Sequence, residues 1–499
     1  MKKLAIIDMG SNSIRLVLVH IGREGNYKIV HDLKESARLA RDFCPELTIK
    51  PQRADMAVKI MTMFRRLCRV VEPDEIIVVA TDAVRRALNR DEFLARIKEE
   101  TGFEVRVLSG REEAFYDYLG VVNGMKVEDA LLMDIGGGST EIVWVKDRQA
   151  VEMTSFPLGA INLAQLFGLH DRISQLQEDS LQNKLFESFA RIPWLKESGS
   201  PVLIGIGGSF RNIGRVDRRL KNYPLDLPHN YRFEAADVQK IYNHIKNKSA
   251  KQRQRIKGLS RDRADIIAGA TFMVNTLLEY CDIPEIRISG YGLREGIIYD
   301  YIHRNHDFSR DVLDCSINNN IKNYSLDYQH ASTVYRLASS LFEQLQEICS
   351  PEEDLSQVIK TAAMLHDCGI VINYYQQNEH IFYTMLNLEI NGLSHRELVL
   401  SACVAAYHDK KTPVQISGFA PLLQSRDLLI IRQMGVMLRL ARSLDRSMSG
   451  IVNDLKVDIR GDDVIIKTIS IDNAELEIYD ALQHFDEFKK IFNKNLFIM

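Results

Sequence analysis

The feature that most restricts the fold of this chain is a short pattern that occurs twice. Residues 6–17 run through an apolar segment, Asp8, Met9, Gly10, Ser11, Asn12 and Ser13, then a second apolar segment. Residues 132–143 repeat the plan with Asp134, Ile135, Gly136, Gly137, Gly138, Ser139, Thr140 and Glu141. Each copy predicts a β-hairpin whose tip is an Asp-x-Gly turn of small residues with uncovered backbone N–H groups. The stretch between the copies is long enough for a complete lobe, so the pair predicts a duplicated α/β unit.

The intervening sequence supports this. Apolar spacing predicts a helix over 53–69, a strand over 75–81, a helix over 91–100, a strand over 104–108 and a helix from 112. Strands alternating with helices imply a sheet with covered faces. The second lobe continues through 201–209 and closes with 285–296. From 327 to about 448 the three- and four-residue apolar spacing is almost purely helical. Segments 455–459, 463–469 and 474–478 then alternate like strands, and 480–491 reads as a helix. The expected domains are 1–124, 125–304, an all-α region over 305–450, and a small α+β module over 451–499.

Composition removes several classes. Hydrophobic residues at 45% and charged residues at 26% fit a soluble globular chain. The net charge of −3 speaks against a nucleic-acid or membrane coat, so a polyanionic partner needs a local basic patch. The seven cysteines contain no C-x-x-C pair and read as reduced thiols, which places the protein in the cytoplasm. Asp8 ends the first apolar run too early for a signal peptide, and no run approaches transmembrane length.

Four small-residue loops, 8–13, 134–141, 205–209 and 289–292, each follow a predicted strand. Glycine lets backbone N–H groups approach an anion, and serine hydroxyls add donors. A bare carboxylate at the head of such a loop repels phosphate, so Asp8 and Asp134 are read as ligands of a hard cation such as Mg²⁺. Ser109, Gly110, Arg111, Glu112 and Glu113 open a predicted helix, where acidic residues complement the dipole. Beside a phosphate cleft, Glu113 can instead deprotonate an attacking water. Arg85 is either a clamp for phosphate oxygens or part of a solvated helix face.

In their order and spacing, segments 8–13, 80–85, 109–114, 134–141 and 290–296 resemble the exopolyphosphatase/guanosine pentaphosphate phosphatase (Ppx/GppA) family. That family belongs to the actin–Hsp70–sugar kinase superfamily, and the resemblance extends from residue 3 to about 300. It implies two actin-like, RNase H-like lobes with the active site between them. It implies Glu113 as general base, Asp134 and Glu141 near magnesium, and Arg85 on phosphate. It also implies phosphate binding by Gly10, Ser11, Asn12, Ser13, Gly136, Gly137, Gly138, Ser139, Gly207, Gly208 and Ser209. Segment 205–209 departs from a common Gly-Ala-Ser-Gly-Thr form by reversing its Gly–Ser order. The implied activity is Mg²⁺-dependent release of terminal phosphates from inorganic polyphosphate by a base-activated water, in a homodimer. The rival readings are a guanosine pentaphosphate 5′-phosphatase, a non-catalytic phosphate or nucleotide sensor, and a sugar-kinase-like ATPase, with guanosine pentaphosphate or tetraphosphate as the alternative partner.

Two basic runs fall within this region: Arg211, Arg215, Arg218, Arg219 and Lys221, and Lys246, Lys248, Lys251, Arg253, Arg255, Lys257, Arg261 and Arg263. Each is a solvated face taken singly; together they suggest a track for a linear polyanion. In the helical region, His330, the adjacent His366 and Asp367, and Asp445 resemble the HD phosphohydrolase tetrad. The set suits Mn²⁺, Fe²⁺ or Zn²⁺, with His380 and His408 available to a second metal. His395 reads as a surface residue.

Overall fold

Both predicted hairpins form in the computed structural model, which describes residues 1–41, 43, 46–306, 311–349, 353–407 and 416–499. β1 (Lys2–Met9) and β2 (Ile14–Ile21) pair antiparallel, with Asp8 opposite Arg15. β3 (Tyr27–Glu35), β4 (Glu75–Ala80) and β5 (Arg106–Val107) complete a sheet of order β3-β2-β1-β4-β5, in which β4 runs parallel to both β1 and β5. The parallel step from β3 to β4 needs a crossover. The helix Pro51–Val71 supplies it, with Pro51 in its first turn and Ala57, Met61, Phe64 and Cys68 buried along one face.

The second copy follows the same plan. β6 (Ala130–Ile135) pairs with β7 (Thr140–Lys146), placing Asp134 opposite Glu141. With β8 (Gln149–Phe156), β9 (Val202–Ile206), β10 (Arg232–Glu234) and β11 (Glu285–Ile288), the sheet order is β10-β11-β9-β6-β7-β8. Omitting the edge strand β10, strand order and directions match the first sheet, which is the duplicated actin-like arrangement.

Two helices are exchanged between the sheets. Gly110–Gly124 lays Ala114, Tyr118, Val121 and Val122 on the second sheet, while Leu293–Asn305 lays Ile297, Ile298, Tyr299 and Ile302 on the first. They cross closely: a Cβ on Gly120 would stand 2.5 Å from the Gly292 carbonyl oxygen, and one on Gly296 would stand 1.9 Å from that of Tyr116. Only glycine fits at these two points.

The chain divides into two compact units, Met1–Arg310 and Asp311–Met499. The second contains the helices Val312–Asn323, Tyr328–Gln344, Ser356–Met364, Gln377–Asn387, His395–Ala405 and Asp427–Ser443. It ends in β12 (Val452–Arg460), β13 (Asp463–Ser470) and β14 (Asn495–Ile498), ordered β12-β13-β14. The expected strand over 474–478 is instead the helix Glu475–Leu482, preceded by a turn in which Asn473 Oδ1 accepts from the Glu475 N–H at 2.9 Å. Ala474, Leu476 and Ile478 satisfy a two-residue period, but the residues that are buried, Ala474, Glu477 and Ala481, recur at three- and four-residue spacing, which is helical. His395 is buried rather than at the surface, because it opens a helix whose first turn packs inward. Among the described residues, no helix is long and apolar enough to cross a membrane.

Candidate active site

Asp8 and Asp134 stand at the carboxyl ends of central strands, where open α/β sheets bind ligands. The two tips close identically: the Gly10 N–H donates to Ser13 O at 3.0 Å, and the Gly136 N–H donates to Ser139 O at 3.0 Å. They also meet, since a Cβ on Gly137 would lie 2.8 Å from Ser11 Cβ. Segment 205–209 is the end of β9 running directly into the helix Gly207–Leu220, whose first turn points free N–H groups at the cleft, a setting that favours anions.

Gly207 has φ +80°, and a Cβ there would lie 2.2 Å from Asp134 Oδ1. Gly207→Ala is therefore expected to displace Asp134 and to destabilise the chain by about 1 kcal/mol or more. Thermal melts together with phosphate-release assays check this.

One cleft is lined by Asp8, Asp82, Glu113, Asp117, Asp134, Glu141 and Glu295, together with Arg15, Arg211, Arg263 and Arg294. The small residues Gly10, Ser11, Asn12, Ser13, Gly136, Gly137, Ser139, Gly207 and Gly208 share its wall. Gly138 sits just behind, where a Cβ would strike Asp82 Oδ2 at 2.0 Å. Glu113, at the start of its helix, accepts a short hydrogen bond from Arg85. The same guanidinium donates to Leu108 O at 2.9 Å and reaches Asp82 Oδ1 at 3.4 Å, so Arg85 fixes the Glu113 carboxylate.

Ser139 and Ser155 each donate to Glu141 Oε1 at 2.7 Å. The Ser209 hydroxyl donates to Ile135 O at 3.2 Å and accepts from Arg263 Nη1 at 3.2 Å. Ser139 and Ser209 thus position Glu141 and Arg263, and their hydroxyls do not point freely into the cleft. Asp117 was not anticipated. It lies one helical turn after Glu113, a four-residue spacing that puts both on one face and was visible in the sequence.

Burial pushes these acids up. Glu113 is raised well above the usual carboxylate range by burial and Glu141, against the pull of Arg85. Asp117 is raised likewise by burial, Asp134, Glu141 and Glu113. Burial lifts Asp134 to about 6 against Arg211 and Arg263, and lifts Glu141 to about 7 against its two serine donors. Asp8 is raised by burial but held back by Arg294 and Arg15.

Asp117 Oδ1 is buried without a hydrogen-bond partner, and the lining carboxylates outnumber the lining arginines. An orphaned buried acceptor amid excess negative charge calls for a cation. No three carboxylates of the cleft converge as a closed cage among the described residues. Mg²⁺ usually takes one or two carboxylates and completes its shell with water and phosphate oxygens, so these residues fit it.

The basic runs separate into two groups. Arg211 and Arg263 line the cleft. Arg253 is fully buried and donates to Leu169 O at 2.8 Å, Lys246 pairs with Glu178 at 3.0 Å, Arg218 and Arg219 pair with Asp226, and Lys221 pairs with Asp217 and Asp237. These are structural. Lys251, Arg255, Lys257 and Arg261 remain exposed.

In the second unit, His330, His366 and Asp367 converge within 4.8 Å. His330 Nδ1 lies 2.7 Å from Asp445 Oδ2, His366 Nδ1 lies 2.6 Å from Ala363 O, and the two Nε2 atoms are 3.3 Å apart. Burial holds His366 down to about 4. Arg442 stands 3.3 Å from Asp367 Oδ1. His380 lies outside this group, on the helix Gln377–Asn387, and His408 lies outside the described residues.

Comparison with known proteins agrees with this architecture. An exopolyphosphatase from Cytophaga hutchinsonii is 24% identical, with a TM-score of 0.58, over 61% of this chain and 98% of its own. The Ppx/GppA family member of Aquifex aeolicus is 26% identical, with a TM-score of 0.53, over 61% of this chain and 99% of its own. The model of the Ppx/GppA phosphatase family matches residues 18–305, and that of Ppx/GppA phosphatase domain III matches residues 312–481. The chain belongs to the Ppx/GppA phosphatase family, and it is a hydrolase of phosphoanhydride bonds.

Proposed function

We propose that the cleft releases terminal phosphates from inorganic polyphosphate with Mg²⁺ and a water activated by Glu113. The observation that carries this is the meeting of both hairpin tips, the Glu113 carboxylate and four arginines in one cleft. Glu113, oriented by Arg85, accepts the proton of the attacking water. Backbone N–H groups of the tips and of the helix at Gly207 face the charge that develops on the transferring group. Asp134 and Glu141 would hold Mg²⁺, which offsets phosphate charge when bound. No covalent intermediate is needed.

A polymer is favoured over a nucleotide by the exposed cations. Arg263 lines the cleft, and the exposed Arg261, Lys257, Arg255 and Lys251 precede it along the chain. Changing these four exposed residues to glutamine is expected to weaken long chains about tenfold and short ones about twofold at low salt. Equal losses at both lengths would count against a track. The direct assay offers polyphosphate and guanosine pentaphosphate side by side to the full-length chain, with and without Mg²⁺. Preference for the nucleotide would replace the substrate named above.

The second unit carries a further reading. Asp445 and the Ala363 carbonyl are acceptors, so both histidines donate through Nδ1 and turn unprotonated Nε2 lone pairs toward each other. That arrangement suits a transition metal held by His330, His366 and Asp367, with Asp445 orienting His330. About one equivalent of Mn, Fe or Zn is expected in the full-length chain by elemental analysis, and none in His366→Ala. Equal metal content in both proteins would refute it.

A further inference from the structure

Behind the first hairpin tip lies a second cavity, of about 340 Å³, which shares Asn12 and Ile266 with the phosphate cleft. Two polar atoms on its wall are buried and unpartnered: the donor Nδ2 of Asn12 and the acceptor Oε1 of Gln165. Arg38, Arg41, His170, Asp262 and Asp265 add its charged and ionisable groups. Arg38 Nη1 stands 3.6 Å from Asp265 Oδ2.

The turn bearing these arginines is fastened to the tip. The Arg38 N–H donates to Asn12 O at 2.9 Å, and the Ala40 N–H donates to Ser11 O at 3.0 Å. Arg38 adopts φ +50°, a left-handed conformation that a non-glycine residue keeps only when its surroundings impose it. The phosphate-binding tip and the wall of the second cavity are therefore one mechanical piece.

We propose that this cavity holds the orthophosphate product after cleavage, beside the cleft and apart from the remaining chain. This rests on the phosphate-releasing reading above. The argument is the donor requirement of the wall. Asp265 already has the Arg38 guanidinium beside it, whereas Gln165 Oε1 can only accept a hydrogen bond and has none, so it needs a ligand that carries a donor. Interior phosphoryl groups of a polyphosphate have no O–H. Orthophosphate near neutral pH keeps at least one, together with oxygens that accept from Asn12 and the arginines. The wall thus selects product over polymer.

The test is calorimetric titration of inorganic phosphate into the full-length chain with Mg²⁺ present. Two phosphates per wild-type chain are expected, with the second weakened about tenfold or lost in Gln165→Leu and in Arg41→Met. One phosphate per wild-type chain would overturn the proposal. So would a second phosphate of undiminished affinity in either variant, or its displacement by guanosine, which would mark a nucleoside pocket. Polyphosphate hydrolysis is assayed on the same wild-type protein: its absence refutes the substrate named above, whereas the product site stands or falls on the stoichiometry.

Discussion

Glu113→Gln is expected to lower kcat on polyphosphate by about 10²–10⁴-fold, the usual contribution of a positioned general base. The amide keeps the size of the carboxylate and can still accept from Arg85, so the local packing survives. Glu113 is buried and raised well above its ordinary range, which means that its ionised form costs stability in the folded chain. Removing that charge should leave the melting temperature at neutral pH unchanged within a few degrees, or slightly higher. A rate loss without a stability loss separates a chemical role from a structural one. Near-normal turnover in the variant would remove Glu113 as the base.

The second large effect links Mg²⁺ to pH. Asp134 is lifted to about 6 and Glu141 to about 7, so protons would compete for both groups with the Mg²⁺ proposed there. Withdrawing Mg²⁺ at pH 8 is expected to lower the rate by roughly 10²-fold or more, since metal stabilisation of the transferring group is worth several kcal/mol. The Mg²⁺ concentration giving half-maximal rate should rise about tenfold for each pH unit lost below 7, and more steeply below 6.

Stability without the metal should move the other way. Between their unfolded values near 4 and the raised folded values, these acids bind more protons folded than unfolded. The metal-free protein should therefore be more stable at pH 5 than at pH 8, losing that advantage as the pH rises through 6 and 7. Added Mg²⁺ should restore stability at pH 8 and have little effect at pH 5. Melting curves at the two pH values, with and without Mg²⁺, check both signs.

The duplicated fold was legible because its signal is local. Asp8 and Asp134, each followed by small residues and flanked by apolar strands, specify a hairpin wherever they occur. Ser139 and Ser209 show where such reading stops. A serine in a glycine loop suggests a phosphate donor, but only the folded chain reveals Glu141 and Ile135 as the acceptors of their hydrogens. Arg253 makes the same point from the other direction: a residue inside a basic run is indistinguishable from its exposed neighbours until Leu169 and Asp171 are brought around it from more than eighty positions away. Asp117, by contrast, was readable from its helical spacing to Glu113. The helix Glu475–Leu482 was not, because a two-residue apolar period over five residues does not distinguish strand from helix.

The register of the two hairpins has one more consequence. Asp8 faces Arg15, whereas Asp134 faces Glu141 at the corresponding place. The duplicated plan thus pairs an acid with a base at one tip and two acids at the other, so the groove is electrically uneven even though its walls share one topology. A string of phosphates, the substrate proposed above, would not lie in it equally well in either sense. On the proposed reading its end group would go to the tip of Asp134 and Glu141, where two facing acids can share a divalent ion. On the proposed polyphosphate reading, removal of one terminal unit at a time would follow from this difference between the duplicated halves.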